Sequence, residues 1–366
     1  MMKLYAGGNS PSRETLSDGV LSFNFWPIQH LVTLELLVKQ VIMANVNKNI
    51  DTTLFQSADL CIVGAICRDV KTVPLPAGDY LFHDGETSIG GIQETIGGGG
   101  ANSAGVAAHL GAAVRFASTV GEDRLGTQLL EALEKCGVRC FAPRLPGIQT
   151  GTTVNLVYTS GQRHFLSCHP NNAALAFEHI DLAALSGAKH LLRADIWFSE
   201  SMLFGGNEQL FREARRLGLA TSIDLNWDPQ WGHAPAQEIA RRKAAARKAL
   251  SLVDLAHGNR RELCAVTDAL DLDTALHRLA EDGVKAVVVH LGEQGAGYFT
   301  DGKLVTVPPV PARQRVMATG TGDVLSVCMM LLHHRAEIPV EQRLRLANSV
   351  VTEFIEGRRV LIPTLV

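Results

Sequence analysis

A run of glycine, threonine and aspartate, ATGTGD at residues 318–323, comes just before a stretch with a helical pattern. Glycines before a helix allow successive backbone N–H groups to turn toward one anion. Such donors stabilise a phosphoryl group in transfer, because its negative charge spreads over its oxygens. The carboxylate of Asp323 can accept the proton of an attacking hydroxyl. The simpler alternative is that Thr321 or Asp323 only caps the helix.

A second glycine run, residues 97–100, is followed by Asn102 and by another helical pattern. Consecutive glycines permit a ligand to approach the backbone closely, and Asn102 offers a donor and an acceptor to a hydroxylated molecule. Asp69 comes just past the first predicted strand, where open sheets bind ligands, and its carboxylate can hold two vicinal hydroxyls. Taken singly, the glycines are better explained by a flexible loop and Asp69 by a turn.

Asn259 and Glu262 begin a helix after another predicted strand, at a place where a carboxylate can order water around Mg²⁺. A plain helix start explains this pair equally well. The sequence contains no G-x-x-x-x-G-K-[ST], no G-x-G-x-x-G after a strand and no G-x-S-x-G. These absences argue against a Walker-type nucleotide hydrolase, a dinucleotide-binding site and an α/β-hydrolase.

The composition is that of a chain able to bury a large core, with 46% hydrophobic and 19% charged residues among 366. Lys and Arg number 34 against 37 Asp and Glu, so no basic field indicates nucleic-acid binding. The seven cysteines form no C-x-x-C pair, which argues against a disulfide framework or a structural zinc site. A reducing compartment, the cytoplasm, is therefore expected.

Short apolar runs alternate with amphipathic stretches from residue 58 onward, which predicts a doubly wound, mostly parallel α/β sheet flanked by helices. The predicted core strands are Leu60–Gly64, Val114–Ser118, Ile196–Ser199, Ala220–Asp224, Val253–His257 and Ala286–Leu291. Two hairpins are predicted, Thr152–Tyr158 with Arg163–Ser167 and Gly295–Thr300 with Lys303–Val307. Helices are predicted from about Ala101 to Leu110, over Asn207–Leu217 and Pro235–Leu250, and from Thr321 and Pro339 onward.

Residues 1–57 form an N-terminal extension, of which residues 1–27 show no sustained hydrophobic period. Its apolar part, residues 30–43, is too short to span a bilayer and is interrupted by Glu35 and Lys39. One interpretation is an amphipathic helix that docks on the body of the protein or pairs with another chain. The other is that translation begins at Met43. No membrane-spanning segment is expected anywhere in the chain.

Together these runs resemble the ribokinase-like (PfkB-type) family of sugar and nucleoside kinases, over about Ala58 to Pro363. GGGGANSAGVAAHLGAAVRFASTVGEDRLG at residues 97–126 resembles the first family signature, and ATGTGDVLSV at residues 318–327 resembles the second. HLGEQGAGYF at residues 290–299 and GNRREL at residues 258–263 are similar to its nucleotide-side motifs. The resemblance implies one kinase domain, residues 58–366, with a small β lid from residues about 72–96 and 150–168.

The resemblance also implies an activity, the transfer of the γ-phosphoryl group of ATP, with Mg²⁺, to a hydroxyl of a small sugar. Asp323 would be the general base, beside the anion hole of residues 320–322. The positions that match the family's acceptor contacts are Asp69, Gly98, Gly99, Asn102 and Asn171. Those that match its nucleotide and magnesium contacts are Asn259, Glu262, Gly292 and Gly295, with Glu262 on the metal side.

Two departures from the family pattern refine the expectation. Met317 and Ala318 replace the usual Asp and Thr of the second signature, which indicates weak or absent dependence on potassium. Asp228 stands where many sugar-acid kinases of the family carry Arg, and a carboxylate there would repel an acidic sugar, which favours a neutral one. A nucleoside kinase and a non-catalytic sugar-binding regulator on the same fold remain as alternatives. Relatives often form a homodimer through the lid, and the same is expected here.

Overall fold

Fifteen strands and nine α-helices are found in the part of the chain that the computed structural model describes, which is Phe55, residues 59–316 and residues 319–363. All of these residues belong to one unit, Ile50–Val366. The predictions for residues 1–54 and for Met317 and Ala318 lie outside the described residues.

The strands are β1 (Asp59–Val63), β2 (Cys67–Thr72), β3 (Ile92–Gly97), β4 (Ala113–Ala117), β5 (Val120–Gly121), β6 (Val138–Phe141), β7 (Arg144–Leu145), β8 (Thr152–Val157), β9 (Arg163–Cys168), β10 (His190–Arg193), β11 (Ala220–Asp224), β12 (Leu255–Asn259), β13 (Ala286–His290), β14 (Ala296–Thr300) and β15 (Lys303–Val307). The helices are α1 (Gly99–His109), α2 (Arg124–Lys135), α3 (Pro170–Ala173), α4 (Asn207–Arg216), α5 (Ala236–Leu250), α6 (Arg260–Thr267), α7 (Leu272–Glu281), α8 (Thr321–His333) and α9 (Val340–Ile355).

Nine strands form the large sheet, in the order β15-β14-β13-β12-β11-β10-β1-β4-β6. Its strands from β13 to β6 are parallel, and β14 and β15 form an antiparallel hairpin at one edge. Strands buried on both faces are apolar without alternation, and β1 shows this, since Leu60 to Val63 are fully buried. The short apolar runs of the sequence therefore form the buried parallel strands of the large sheet.

Helices cover both faces of the large sheet, and each face has its own hydrophobic core. One core joins the sheet to α1, α2, α8 and α9, where Leu129, Met330 and Leu344 are buried. The other joins it to α4, α5, α6 and α7, where Phe211, Ala249 and Leu276 are buried. The result is the predicted doubly wound arrangement of helix, sheet and helix layers.

A separate four-stranded sheet, called here the small sheet, has the order β3-β2-β8-β9. Its β8 and β9 are antiparallel, so the hairpin predicted around Ser160 and Gly161 is present. The small sheet starts earlier than the lid segment expected at residue 72, because β2 already occupies Cys67–Thr72. Asp69 therefore lies within a strand of the small sheet and not in a turn past β1.

One predicted strand is wrong. Ile196–Ser199 was expected to be a core strand, but the strand of the large sheet at this place is β10, which ends at Arg193. Asp195 has a φ of 56°, so the chain leaves the extended conformation there. Ile196 and Trp197 are buried as loop residues in the second core, which gives them the apolar pattern of a strand. Within the described residues, no helix has the length and apolar character needed to cross a membrane.

Candidate active site

Among the described residues, no side chain caps the N-terminus of α8. Gly320, with a φ of 88°, occupies the cap position, and the side chains of neither Thr321 nor Asp323 bond to the first turn. The alternative that one of these residues serves only as the helix cap is therefore wrong. The first backbone N–H groups of α8 lack intrahelical partners, so they remain available to an anion.

Asp323 lies in the first turn of α8, half-buried, and faces the start of α1. The Nδ2 of Asn102 donates a hydrogen bond to Oδ2 of Asp323, at 3.3 Å. Burial raises the pKa of Asp323 well above its usual range, and repulsion from Asp224 and Asp195 adds to this effect. The two glycine-rich runs of the sequence, far apart in the chain, thus meet at one carboxyl group.

Asp195 is a buried acid of this site that the sequence interpretation missed. Its Oδ2 accepts hydrogen bonds from the backbone N–H groups of Gly100, at 2.8 Å, and Ala65, at 3.1 Å. It therefore joins the start of α1 to the end of β1, although it comes from the loop after β10. Burial raises the pKa of Asp195, although these two N–H donors oppose the effect.

A second set of unpredicted residues connects the sheet to α8. Ser326, one helical turn after Asp323, donates from Oγ to Oδ2 of Asp224 at 2.7 Å. The same Oγ lies 3.0 Å from Nε2 of His290, at the end of β13. Burial raises the pKa of Asp224 to about 6 and lowers that of His290 to about 4. These contacts fix the side of α8 that faces the sheet.

The glycine run 97–100 is part of a strand end and a helix start, and is not a flexible loop. Gly98 has a φ of 90°, and a Cβ there would lie 2.4 Å from the carbonyl oxygen of Ala65. A Cβ on Gly99 would lie 2.9 Å from Oδ1 of Asp195, and one on Gly97 would lie 2.2 Å from Oδ1 of Asp69. The absent side chains therefore make room for two carboxylates.

Asp69 points toward the same region from the small sheet. Burial raises its pKa, and Asp195 is among the charges that add to this effect. The thiol of Cys67 lies 3.7 Å from Oδ1 of Asp69. The structure thus places Asp69 against Gly97, next to Gly98 and Gly99 at the start of α1, while Asn102 of the same helix contacts Asp323.

Asn171 is not available to a ligand in the same way. Its side chain is fully buried, and its Oδ1 accepts from the N–H of Gly151 at 2.8 Å. Its Nδ2 donates to the carbonyl oxygens of Thr119, at 2.8 Å, and Ile66, at 3.1 Å. The amide is therefore used in joining loops, and we assign it no contact with the acceptor.

Asp228 does not face the site, and the argument that it would repel an acidic sugar is wrong. Its carboxylate is fully buried and pairs with the guanidinium of Arg242, with Nε 2.8 Å from Oδ2. Its Oδ1 also accepts from the backbone N–H of Gln230. A buried carboxylate neutralised by an arginine has no net charge to offer to a ligand.

Asn259 and Glu262 form a reciprocal capping box at the start of α6. Oδ1 of Asn259 accepts from the N–H of Glu262 at 3.0 Å, and Oε2 of Glu262 accepts from the N–H of Asn259 at 2.8 Å. Burial, with repulsion from Asp224 next, raises the pKa of Glu262 to about 7. The plain helix-start alternative therefore describes their local bonding, and the buried Glu262 also feels the charge of Asp224.

Gly292 and Gly295 line a pocket of about 620 Å³ beside the start of α8. Thr321 and Gly322 line the same pocket, and its apolar wall includes Val310 and Val351. Because one end presents backbone N–H groups and the other an apolar wall, the pocket has the chemistry of a site for a nucleoside phosphate.

The acidic groups fit a magnesium ion bound jointly with phosphates. Burial is the main reason that the pKa of Asp323 is raised, and repulsion from Asp224, Asp195 and Glu262 adds to it. A divalent cation would relieve that repulsion. Within the described residues, no group of three or more His, Cys, Asp or Glu side chains could hold a metal on its own. Mg²⁺ commonly uses one or two carboxylates together with water and substrate phosphates, and this arrangement matches that use.

Comparison with known proteins gives the family and the fold. The model of the family described as "pfkB family carbohydrate kinase" matches residues 57–350 of this chain. A nucleoside kinase of Methanothermobacter thermautotrophicus is 27% identical over 268 residues, which cover 70% of this chain and 79% of the relative. A ribokinase of Bacillus subtilis is 25% identical over 296 residues, which cover 80% of this chain and 92% of the relative.

Solved structures agree with the topology. The structure of Arabidopsis thaliana ribokinase complexed with ribose and ATP aligns with a TM-score of 0.65 at 22% identity. The alignment covers 84% of this chain and 96% of that one. At this identity the likeness concerns the fold, which is the ribokinase-like α/β fold expected from the sequence.

Proposed function

The chain belongs to the pfkB family of carbohydrate kinases, and we propose that it transfers the γ-phosphoryl group of ATP to a hydroxyl of a small neutral sugar. The observation that carries this proposal is the meeting of Asp323, Asn102 and the uncapped start of α8. Asp323 takes the proton of the attacking hydroxyl, and Asn102 holds its carboxylate in place. The N–H groups of Gly320, Thr321 and Gly322 stabilise the charge on the transferred group.

A neutral acceptor is supported by the carboxylates that surround its side of the site. Burial raises the pKa values of Asp69 and Asp323, and the charge of Asp195 adds to the effect on both. An anionic sugar would be repelled by this group. Asp69 and the backbone of Gly98 and Gly99 would hold the acceptor, with Asp69 accepting from two hydroxyls.

The nucleotide would lie in the pocket lined by Gly292 and Gly295, with its phosphates at the start of α8. Glu262, oriented by Asn259, would hold Mg²⁺ with the phosphates and water. When bound, the ion supplies neutralisation of the phosphate charge. ATP and Mg²⁺ are thus the co-substrate and cofactor of the proposed reaction.

The small sheet would act as a lid over the acceptor, and as the surface through which two copies associate. Arg163, at the start of β9, donates to Oγ1 of Thr319 at 2.8 Å, so the small sheet reaches the segment before α8. Exclusion of water by such a cover prevents wasteful hydrolysis of ATP. Phe82, Ile92 and Leu166 are exposed at or beside this sheet, which supports a homodimer formed through it. Sedimentation of the purified protein at a monomer mass would contradict the dimer.

The decisive experiment measures ATP turnover by the full chain with Mg²⁺ against a panel of sugars and nucleosides. Phosphorylation of one sugar, lost in Asp323→Asn, supports the proposal and names the substrate. If only a nucleoside were phosphorylated, the protein would be a nucleoside kinase, the alternative within the same family. Absence of turnover together with a sugar-dependent rise in Tm would favour a sugar-binding regulator.

We expect the pH dependence of the reaction to reflect the ionisation of the carboxyl cluster, which is Asp323 with Asp224, Asp195 and Glu262 around it. Asp323 must be ionised to accept a proton, and its pKa is raised, so kcat/KM for the acceptor should rise with pH across an ascending limb. Asp224→Asn removes the largest charge effect on Asp323 while keeping an acceptor for Ser326. The limb should therefore move to lower pH in this variant, as rate measurements across pH would show.

The matched control for that profile is Asp254→Asn, a carboxyl group that pairs with Lys285 away from the cluster. Its ascending limb should coincide with that of the wild type. Because interacting groups titrate as a set, the limb reports the cluster as a whole. A limb that stays in place in Asp224→Asn would show that Asp224 does not control the base.

A further inference from the structure

The two faces of the small sheet differ in polarity and burial. Along β8, Thr153 and Asn155 are buried, whereas Thr152, Val154 and Leu156 are only half-buried. Successive side chains of a strand point to opposite faces, so Thr153 and Asn155 share the covered face. Thr153 pairs in register with Asp69 of β2, which places Asp69 on that face as well.

Asn155 is fully buried, yet neither its Oδ1 nor its Nδ2 has a hydrogen-bond partner within the described residues. Its register neighbours are Lys71 on β2 and Phe165 on β9, and neither supplies one. By contrast, Thr153 on the same face is engaged, with its Oγ1 2.8 Å from Nε2 of His169.

An unpartnered buried amide is destabilising, because it has lost its hydrogen bonds to water and gained none in return. Buried polar atoms in folded proteins are therefore nearly always paired. Oδ1 of Asn102, the residue whose Nδ2 bonds to Asp323, is also buried and has no hydrogen-bond partner in the part of the chain that the structure describes. Unpaired amide atoms thus occur in two elements that adjoin the acceptor side of the site, both polar atoms of Asn155 in the small sheet and Oδ1 of Asn102 in α1.

We propose that Asn155 is a specificity-determining residue that hydrogen-bonds the acceptor through both Oδ1 and Nδ2. This inference rests on the proposed phosphotransfer and adds what the acceptor must carry. Since Asn155 lies two residues along the strand from the position opposite Asp69, its target lies about 7 Å from the hydroxyls that Asp69 binds. That target is a neutral group with a donor and an acceptor on one edge, which adjacent sugar hydroxyls and the amide edge of a nucleobase both provide.

The test replaces Asn155 by leucine, which has the same branched shape and the same number of heavy atoms but no polar atoms. Loss of two hydrogen bonds should lower kcat/KM for the acceptor by about 30-fold, through KM, with KM for ATP unchanged. Tm of the ligand-free protein should rise by about 2 °C, because an unpaired amide is removed from a buried position. A residue with a merely structural role would show the opposite change in Tm.

Asn172→Leu is the matched control, since Asn172 is also buried but is partnered. Its Oδ1 accepts from the N–H of Ile66 and its Nδ2 donates to the carbonyl oxygen of Ile66. This variant should lower Tm. A fall in Tm for Asn155→Leu comparable to that of Asn172→Leu would overturn the proposal, and this comparison needs no activity.

The acceptor panel separates the two sources of the target group. If Asn155→Leu loses kcat/KM only for a nucleoside, Asn155 hydrogen-bonds the base. If it loses kcat/KM only for a free sugar, Asn155 hydrogen-bonds the sugar hydroxyls. Unchanged KM for every acceptor that the wild type uses would overturn the inference while the proposed function stands. A wild type that phosphorylates no member of the panel would refute the proposed function, and the Tm comparison would then decide the inference by itself.

Discussion

Replacing Asp323 by asparagine is expected to lower kcat by about 10²- to 10⁴-fold, the range that a positioned general base contributes. The amide is nearly isosteric and its oxygen can still accept from Nδ2 of Asn102, so the packing between α1 and α8 is retained. An amide cannot take the proton of the acceptor hydroxyl. Acceptor binding, measured by calorimetry or by the shift in Tm, should change little, because it depends on other groups.

The control for this substitution is Asp301→Asn, which makes the same chemical change in an exposed turn. Asp301 has a φ of 48°, a conformation that asparagine also tolerates, so neither fold nor activity should change. Near-normal turnover in Asp323→Asn would remove Asp323 from the role of base.

The sequence predicted those parts of the fold and site that are local. The runs at 97–102 and 318–323 each contain their own helix start, and both helices begin within two residues of the expected position. Both hairpins were predicted because their turns, at Ser160-Gly161 and Asp301-Gly302, have clear turn residues between alternating strands. Elements whose pattern depends only on neighbouring residues can therefore be predicted from the sequence.

Other parts of the site depend on topology and left no local signal. Asp195 follows β10 in a loop, and only the parallel pairing of β10 with β1 brings it to the start of α1. Ser326 looks like any small residue of an apolar helix until α8 is placed against Asp224. The burial of Asp228 depends on Arg242, which lies 14 residues further along the chain on α5. A sequence motif cannot reveal which charge is neutralised by a distant partner.

Gly100→Ala is expected to lower the free energy of unfolding by about 3 kcal/mol or more, against the direction that helix propensity predicts. Gly100 lies in the first turn of α1, where alanine would ordinarily favour the helix. However, a Cβ there would lie 2.5 Å from Cα of Gly64 and 2.7 Å from its carbonyl carbon. Both atoms belong to the backbone at the end of β1, so no side chain can rotate away to relieve the overlap.

The same overlap would disturb the site, because the N–H of Gly100 donates to Asp195 and α1 carries Asn102. Chemical denaturation gives the change in free energy, and Gly232→Ala is the matched control. A Cβ on Gly232 meets no heavy atom within 4 Å, so that variant should unfold close to the wild type. If Gly100→Ala were as stable as Gly232→Ala, the close approach of α1 to β1 would not be what positions Asn102 against Asp323. Destabilisation together with loss of turnover would show that one backbone contact supports both the fold and the base.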